Sequence, residues 1–215
     1  MECKKDNVSG LRKGTDGIVR CAWSGDSECY IRYHDLEWGR PVASDHRLFE
    51  KLALEGFQAG LSWLTILKKR EAFREAFAGF DPEKLIHYGE REVALLLGNP
   101  AIVRHRGKIE ATIHNAGRVL EVVERFGSFA AYVWEFEPAC GPDGAVDSSL
   151  RFAKDLKRRG FRFVGPTTAY AFMQAMGLVN DHLEGCASKE DVVQARLGFQ
   201  PPKRRRPSPE APREP

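Results

Sequence analysis

Apolar residues recur along most of the chain at intervals of three and four, the spacing that lines one face of an α-helix. Leu48, Phe49, Leu52 and Ala53 define one such face, and Leu64, Leu67, Phe73 and Phe77 predict a second helix ending at Gly79. Asp81-Pro82-Glu83 reads as a helix start: a capping carboxylate, a proline in the first turn and an acid near the positive helix end. A long stripe through Ile109, Ile113, Ala116, Leu120 and Val123 stops at Gly127, and Ser128 is placed to cap the next helix, which carries Phe129, Val133 and Trp134. Pro138 to Asp147 reads as a Gly/Pro loop, with helix resuming at Ser148, and Ser188 with Asp191 resembles a capping box for a last helix. Sustained alternation of apolar and polar residues is missing, so the pattern predicts an all-α fold. Residues 1–19 read as a disordered extension, 20–198 as the helical domain and 199–215 as a disordered Pro/Arg-rich tail, whose Lys203–Arg206 run reads first as solvated tail and only second as a weak, non-specific attraction to DNA.

Charge adds little by its total. Thirty-three basic against 30 acidic residues leave +3, a balance many enzymes share. Local clusters at Lys68–Arg70, Arg104–Lys108 and Lys157–Arg159 read as solvated helix ends before they read as phosphate grips. No apolar run is long enough to span a bilayer and the N-terminus carries no secretory pattern, so the expected setting is cytoplasmic, without a membrane partner. Five scattered cysteines in a reducing compartment are thiols or metal ligands.

Two segments carry chemistry. Between Leu156 and Ala169 a short glycine-bearing turn joins two helices, with Pro166 suited to the first turn of the second. Gly165 allows close backbone approach at that helix N-terminus, where unpaired N–H groups and the dipole favour an anion such as a DNA phosphate. An ordinary αα-hairpin remains the alternative at this level. The second is a split set of ligands. His182 and Cys186, in a His-x3-Cys spacing, share one helical face, and Cys21 with His34 could complete a tetrahedral Cys2His2 zinc site. Four protein ligands leave no position for water, so such a metal is structural and ties the chain ends together. Spacing alone leaves packing roles open for each of the four.

The words around these residues narrow the choice. Arg20-Cys21-Ala22-Trp23, Tyr33-His34-Asp35-Leu36-Glu37-Trp38-Gly39, Leu54-Glu55-Gly56-Phe57-Gln58-Ala59-Gly60-Leu61-Ser62-Trp63, Arg104-His105-Arg106-Gly107-Lys108-Ile109 and Gly177 to Cys186 closely resemble, in order, the DNA-3-methyladenine glycosylase I family of the helix-hairpin-helix superfamily. The resemblance implies zinc on Cys21, His34, His182 and Cys186; the remaining cysteines, Cys3, Cys29 and Cys140, read as free thiols. It implies a base pocket in which Glu55 and Tyr33 act on the base, with Trp63 and Trp23 as further walls. Read from the residues alone, Glu55 is equally an exposed helix-end acid, and Trp23, Trp38 and Trp63 are core; Trp38 is left as core.

Val164 to Ala169 is similar to the second half of the family's hairpin, but Phe163 stands where that motif has glycine. Phe163, Val164, Gly165 and Thr167 are the expected hairpin contacts to DNA. Gly60-Leu61 is a candidate wedge for the gap left by a flipped base, with helix-core leucine the simpler reading. Asn180 replaces the essential aspartate of many superfamily members, and Thr167 the lysine of bifunctional ones. The resemblance therefore implies a monomeric, monofunctional enzyme that flips 3-methyladenine from double-stranded DNA and releases it without nicking the strand. Burial should raise the Glu55 pKa and a cationic base lower it, so Glu55 is expected to be ionised in the complex. The alternative reading is a non-catalytic binder of alkylated DNA with the same fold.

Overall fold

The computed structural model of the protein describes residues 10–138 and 141–204. The architecture is helical, with a single two-stranded antiparallel hairpin among the described residues. At its centre lies α2 (Asp45–Gln58), buried continuously from Leu48 to Phe57. A helix surrounded on all sides takes neighbours on every face, and α2 packs on α3 (Trp63–Lys68), α7 (Arg106–Phe126), α8 (Phe129–Trp134) and α10 (Pro166–Ala175). Asp45, in its first turn, accepts the N–H groups of Phe129 (2.9 Å) and Ala130 (2.8 Å), so one carboxylate fixes the N-terminus of α8 against α2. The expected cap is also present, Ser128 accepting from the Ala131 N–H at 2.9 Å.

Several sequence expectations need correction. The single helix expected across Leu64–Phe77 is two, α3 and α4 (Arg70–Ala76), parted at Lys69 (φ −100°, ψ 0°). Lys69 then reaches the carbonyls of Pro100 and Ala101, both at 3.0 Å, so the break orients a tertiary contact. Asp81 caps the short α5 (Pro82–Leu85) through the Glu83 N–H as expected, and α6 (Glu90–Gly98) follows. Along α7 the buried face runs through Ile109, Ala116, Val119, Val122 and Phe126, with Leu120 half-buried, and Gly127 ends it in the left-handed conformation (φ 89°). The Gly/Pro stretch is not a loop to Asp147: α9 (Gly141–Arg158) begins at Gly141. Ala145, Ser148 and Ser149 are buried on its inner face, and that burial overrides the local breakers.

The chain ends depart from expectation for a shared reason. Within the extension expected over 1–19, β1 (Leu11–Lys13) pairs with β2 (Val19–Cys21) in the register Leu11–Cys21, Arg12–Arg20, Lys13–Val19. Strands of three residues are too short to display alternation, and tertiary contacts hold them: the Ala187 N–H donates to Val19 O at 2.9 Å. Residues 1–9 and 205–215 of the expected disordered ends lie outside the described residues, as do Cys3 and Cys140. The start of the tail is anchored, Phe199 resting on Trp134 (4.7 Å between ring centroids) and Arg204 on the Phe126 ring (4.6 Å). Among the described residues no helix is long and apolar enough to cross a membrane.

Candidate functional site

Cys21 leaves β2, His34 lies on α1 (Glu28–Leu36), and His182 and Cys186 sit in the turn before α11 (Ser188–Leu197). All four are buried, and their ligand atoms lie within 4.8 Å of one another. Cys186 Sγ stands 3.5 Å from His34 Nε2 and 3.4 Å from His182 Nδ1, and Cys21 Sγ 3.9 Å from His182 Nδ1. Sulfur and nitrogen bound tetrahedrally to one zinc at ordinary bond lengths sit roughly 3.6 Å apart, so the set fits such an ion.

The surroundings orient the ligands. His34 Nδ1 meets Asp35 at 2.7 Å, and Arg20 donates to the same carboxylate at 2.9 Å. His182 Nε2 faces the Trp38 carbonyl at 3.2 Å. Each imidazole is thus turned by its outer nitrogen so that the other points inward, the arrangement metal-bound histidines favour. Burial pushes His182 down to about 4, keeping it neutral, and pushes the Cys21 thiol up to about 11. So shifted, the Cys21 thiol becomes thiolate only beside a cation. Ser188, expected to cap α11, is its first residue; Ala187 is the cap position, and the Ser188 hydroxyl instead reaches Asp35 at 3.5 Å. Cys29 is an exposed thiol on α1.

Next to this knot opens a cleft of about 720 Å³, lined by Trp23, Tyr30, Tyr33, Glu55 and Trp63 and also by Gln174, Asn180 and Asp181. Of the four expected pocket residues, Tyr33, Glu55 and Trp63 lie together in its depth, 4%, 6% and 8% exposed. The Tyr33 and Trp63 rings are 5.4 Å apart. Trp23 stands at the mouth, 37% exposed, its ring 5.2 Å from Tyr30 and 6.4 Å from Tyr33. Trp38 is core as expected and also closes the floor between cleft and knot. The indole N–H of Trp63 is buried and has no hydrogen-bond partner among the described residues, an unmet donor in the wall of the cleft.

Sequence reasoning missed two residues here. Tyr30, one turn before Tyr33, lines the same cleft. Lys51, one turn before Glu55, is 5% exposed; its Nζ donates to the Tyr33 hydroxyl at 2.5 Å, lies 3.6 Å from Glu55 Oε1 and sits 3.6 Å over the Trp63 ring. The signal was the i, i+4 spacing of Lys51 and Glu55 inside an otherwise apolar face. Burial raises the Glu55 pKa, opposed by Lys51, and burial lowers Lys51 to about 8. The Tyr33 hydroxyl is held well above its ordinary range by burial and then by Glu55.

The expected DNA contacts lie outside the cleft. Gly60 (φ 82°) and Leu61 (41% exposed) form the turn between α2 and α3, so Leu61 is not a core residue of a helix. Lys108, counted in a basic cluster, is buried and donates to Phe57 O at 2.9 Å and Ala59 O at 2.6 Å, fixing that turn on α7. In the hairpin, Gly165 is the cap position and Pro166 the first residue of α10. Phe163 adopts the left-handed backbone (φ 55°) that its motif assigns to glycine, so the turn survives the replacement, and Asn115 grips the loop through both backbone groups of Arg162 (2.8 and 3.0 Å). Phe163 and Thr167 are exposed, whereas the Val164 side chain is 3% exposed and turns inward, leaving only its backbone for an outside partner. Asn180 is engaged in the ligand loop, its Oδ1 accepting from the His182 N–H at 3.2 Å; Asp181 beside it accepts from Tyr170 and Gln174, both at 2.7 Å.

The sequence profile of methyladenine glycosylase matches residues 23–189. The chain belongs to that family. It is 45% identical over 181 residues to the DNA-3-methyladenine glycosylase of Haemophilus influenzae, covering 80% of this chain and 98% of the relative. A crystal structure of 3-methyladenine DNA glycosylase I superposes with a TM-score of 0.73 at 47% identity, over 78% of this chain and 98% of the other. The enzyme of Staphylococcus aureus, whose structure concerns recognition of 3-methyladenine, gives 0.73 at 39% identity over 79% and 96% of the two chains.

Proposed function

We propose that the protein is a base-excision repair glycosylase that hydrolyses the N-glycosidic bond of 3-methyladenine in alkylated duplex DNA, acting as a monomer and leaving the strand intact. The observation that supports this most is the cleft itself: a buried carboxylate, Glu55, beside the rings of Tyr33 and Trp63. Methylation at N3 gives adenine a positive charge, which distinguishes it from every undamaged base. Ring faces attract a desolvated cation by about 2 kcal/mol or more, and an ionised Glu55 accepts from the polar edge. Trp63 offers its unmet N–H.

The chemistry follows from the same charge. When the bond from the sugar to N9 breaks, the electron pair moves onto the base, which departs neutral without needing a strong general acid. The chain's part is to extract, hold and orient the cation while water reaches the sugar. Flipping costs a few kcal/mol, less at a damaged pair. Leu61, exposed on a turn pinned by Lys108, suits a wedge into the vacated stack. Backbone N–H groups at the start of α10, with Gly165 and Thr167, suit a phosphate. Thr167 supplies no amine for a Schiff base. Zinc bound by Cys21, His34, His182 and Cys186 would brace the wall of the cleft and leave no ligand position for water.

The test is incubation with methylated duplex DNA and chromatography of the released bases. 3-Methyladenine should appear while 7-methylguanine stays in the polymer, with strands unbroken until alkali is added. Binding to the DNA without release of any base would leave a damage-binding protein instead.

A further inference from the structure

Lys51 has no part in the reading above, and it does not line the cleft, yet its ammonium touches three residues that do: Tyr33, Glu55 and Trp63. Its ammonium lies 3.6 Å over the Trp63 ring and 4.5 Å from the Tyr33 ring centre, with Glu55 3.6 Å away. These are the same aromatic rings and the same carboxylate that a cationic base in the cleft requires. We propose that the pocket carries one positive charge at a time, the Lys51 ammonium in the free protein and the methylated base in the complex, so that entry of the base drives a proton off Lys51. The proposal rests on the base-pocket reading.

Retreat with its charge is closed to Lys51. Behind it lies a small cavity of about 30 Å³ lined by Glu37, Arg47, Glu50, Arg70 and Arg74. Glu37 already takes both arms of Arg70, at 2.6 and 2.9 Å, and Glu50 takes Arg74 at 2.9 Å. No free carboxylate waits there for a second ammonium, and three guanidiniums repel it. Tyr33, above, supplies only a hydroxyl. Two cations that share one carboxylate and one ring in partly dry surroundings repel strongly, and the charge most easily surrendered is that of an amine whose burial already holds it down at about 8. The cycle balances: the base cation and one water give neutral base, a sugar hydroxyl and a proton, and that proton returns Lys51 to its resting charge. Lys51 thereby acts as a specificity determinant.

The probes are 3,9-dimethyladeninium, a permanent cation, and neutral 3-methyladenine, titrated by calorimetry in buffers of different ionisation heat. At pH 7 the wild-type protein should release close to one proton per cation bound, and its affinity for the cation should rise about tenfold from pH 7 to pH 9. The neutral probe should show neither effect. Lys51→Arg, whose charge does not titrate in this range, should bind the cation with an affinity independent of pH and at least tenfold below wild type at pH 9. Lys51→Met should bind it about tenfold more tightly than wild type at pH 7. Cation binding without proton release, with Lys51→Met no tighter, would overturn the proposal and leave the base pocket standing. Failure of the wild-type protein to bind either probe would remove both.

Discussion

Glu55→Gln should lower excision of 3-methyladenine on the order of a hundredfold while leaving the protein folded. Glu55 projects from a helix buried continuously from Leu48 to Phe57 into a cleft walled by Tyr33 and Trp63. Glutamine keeps the shape and one acceptor oxygen but loses the charge that recognises a cation. Hydrogen bonds to charged groups contribute roughly 1.5–3 kcal/mol, and about 2.7 kcal/mol corresponds to a hundredfold in rate. The loss should appear in single-turnover release of 3-methyladenine. A buried ammonium stripped of its carboxylate partner would cost several kcal/mol if it stayed charged, but Lys51, held down at about 8, escapes most of that by shedding its proton, so the loss of stability should be modest. A melting temperature within a few degrees of wild type would show that the lost activity is local. Full activity in this variant would remove Glu55 from base recognition.

Cys186→Ser should remove one equivalent of zinc per chain and lower the melting temperature by roughly 8–16 °C, with excision at 20 °C retained within a fewfold. Cys186 contacts both histidines and closes a link from residue 21 to residue 186 across the fold. Losing the ion leaves three buried ligands without their common partner and frees β2 and the turn before α11 from one another. A destabilisation of about 4 kcal/mol, at 2–4 °C per kcal/mol for a domain this size, gives that shift. The core through α2, α7, α8 and α10 does not depend on the knot, so the domain should persist below its melting point. Metal content by mass spectrometry and melting by circular dichroism check both parts. Loss of excision in folded, metal-free protein, restored to different extents by different metals, would make the ion catalytic.

Legibility in the sequence followed the range of the forces involved. Asp81 and Ser128 act on N–H groups within three residues, so their caps could be read directly. Gly127 likewise ended α7 where a left-handed residue was needed. Ser188 resembled a cap just as well, but its hydroxyl serves Asp35, more than a hundred residues away in sequence. The strands at Leu11 and Val19 and the first turns of α9 exist through tertiary contacts that no local pattern displays. Among site residues, Tyr33, Trp63 and Glu55 came from family resemblance, since buried aromatics and a helical acid are ambiguous by themselves. Lys51 went unread because a lysine in an apolar face is ordinarily a solvated one. Only coordinates show that its ammonium is enclosed.

A crystal structure of the protein with 3,9-dimethyladeninium bound, the cation that stands for the methylated base in DNA, tests the central claim most directly. The purine should lie in the cleft against the Trp63 ring, with Tyr33 or Tyr30 on its other side and a Glu55 oxygen within hydrogen-bond distance of its polar edge. A base seated elsewhere, or one in the cleft that leaves Glu55 paired with Lys51 and untouched by ligand, would contradict recognition of the damaged base by its charge.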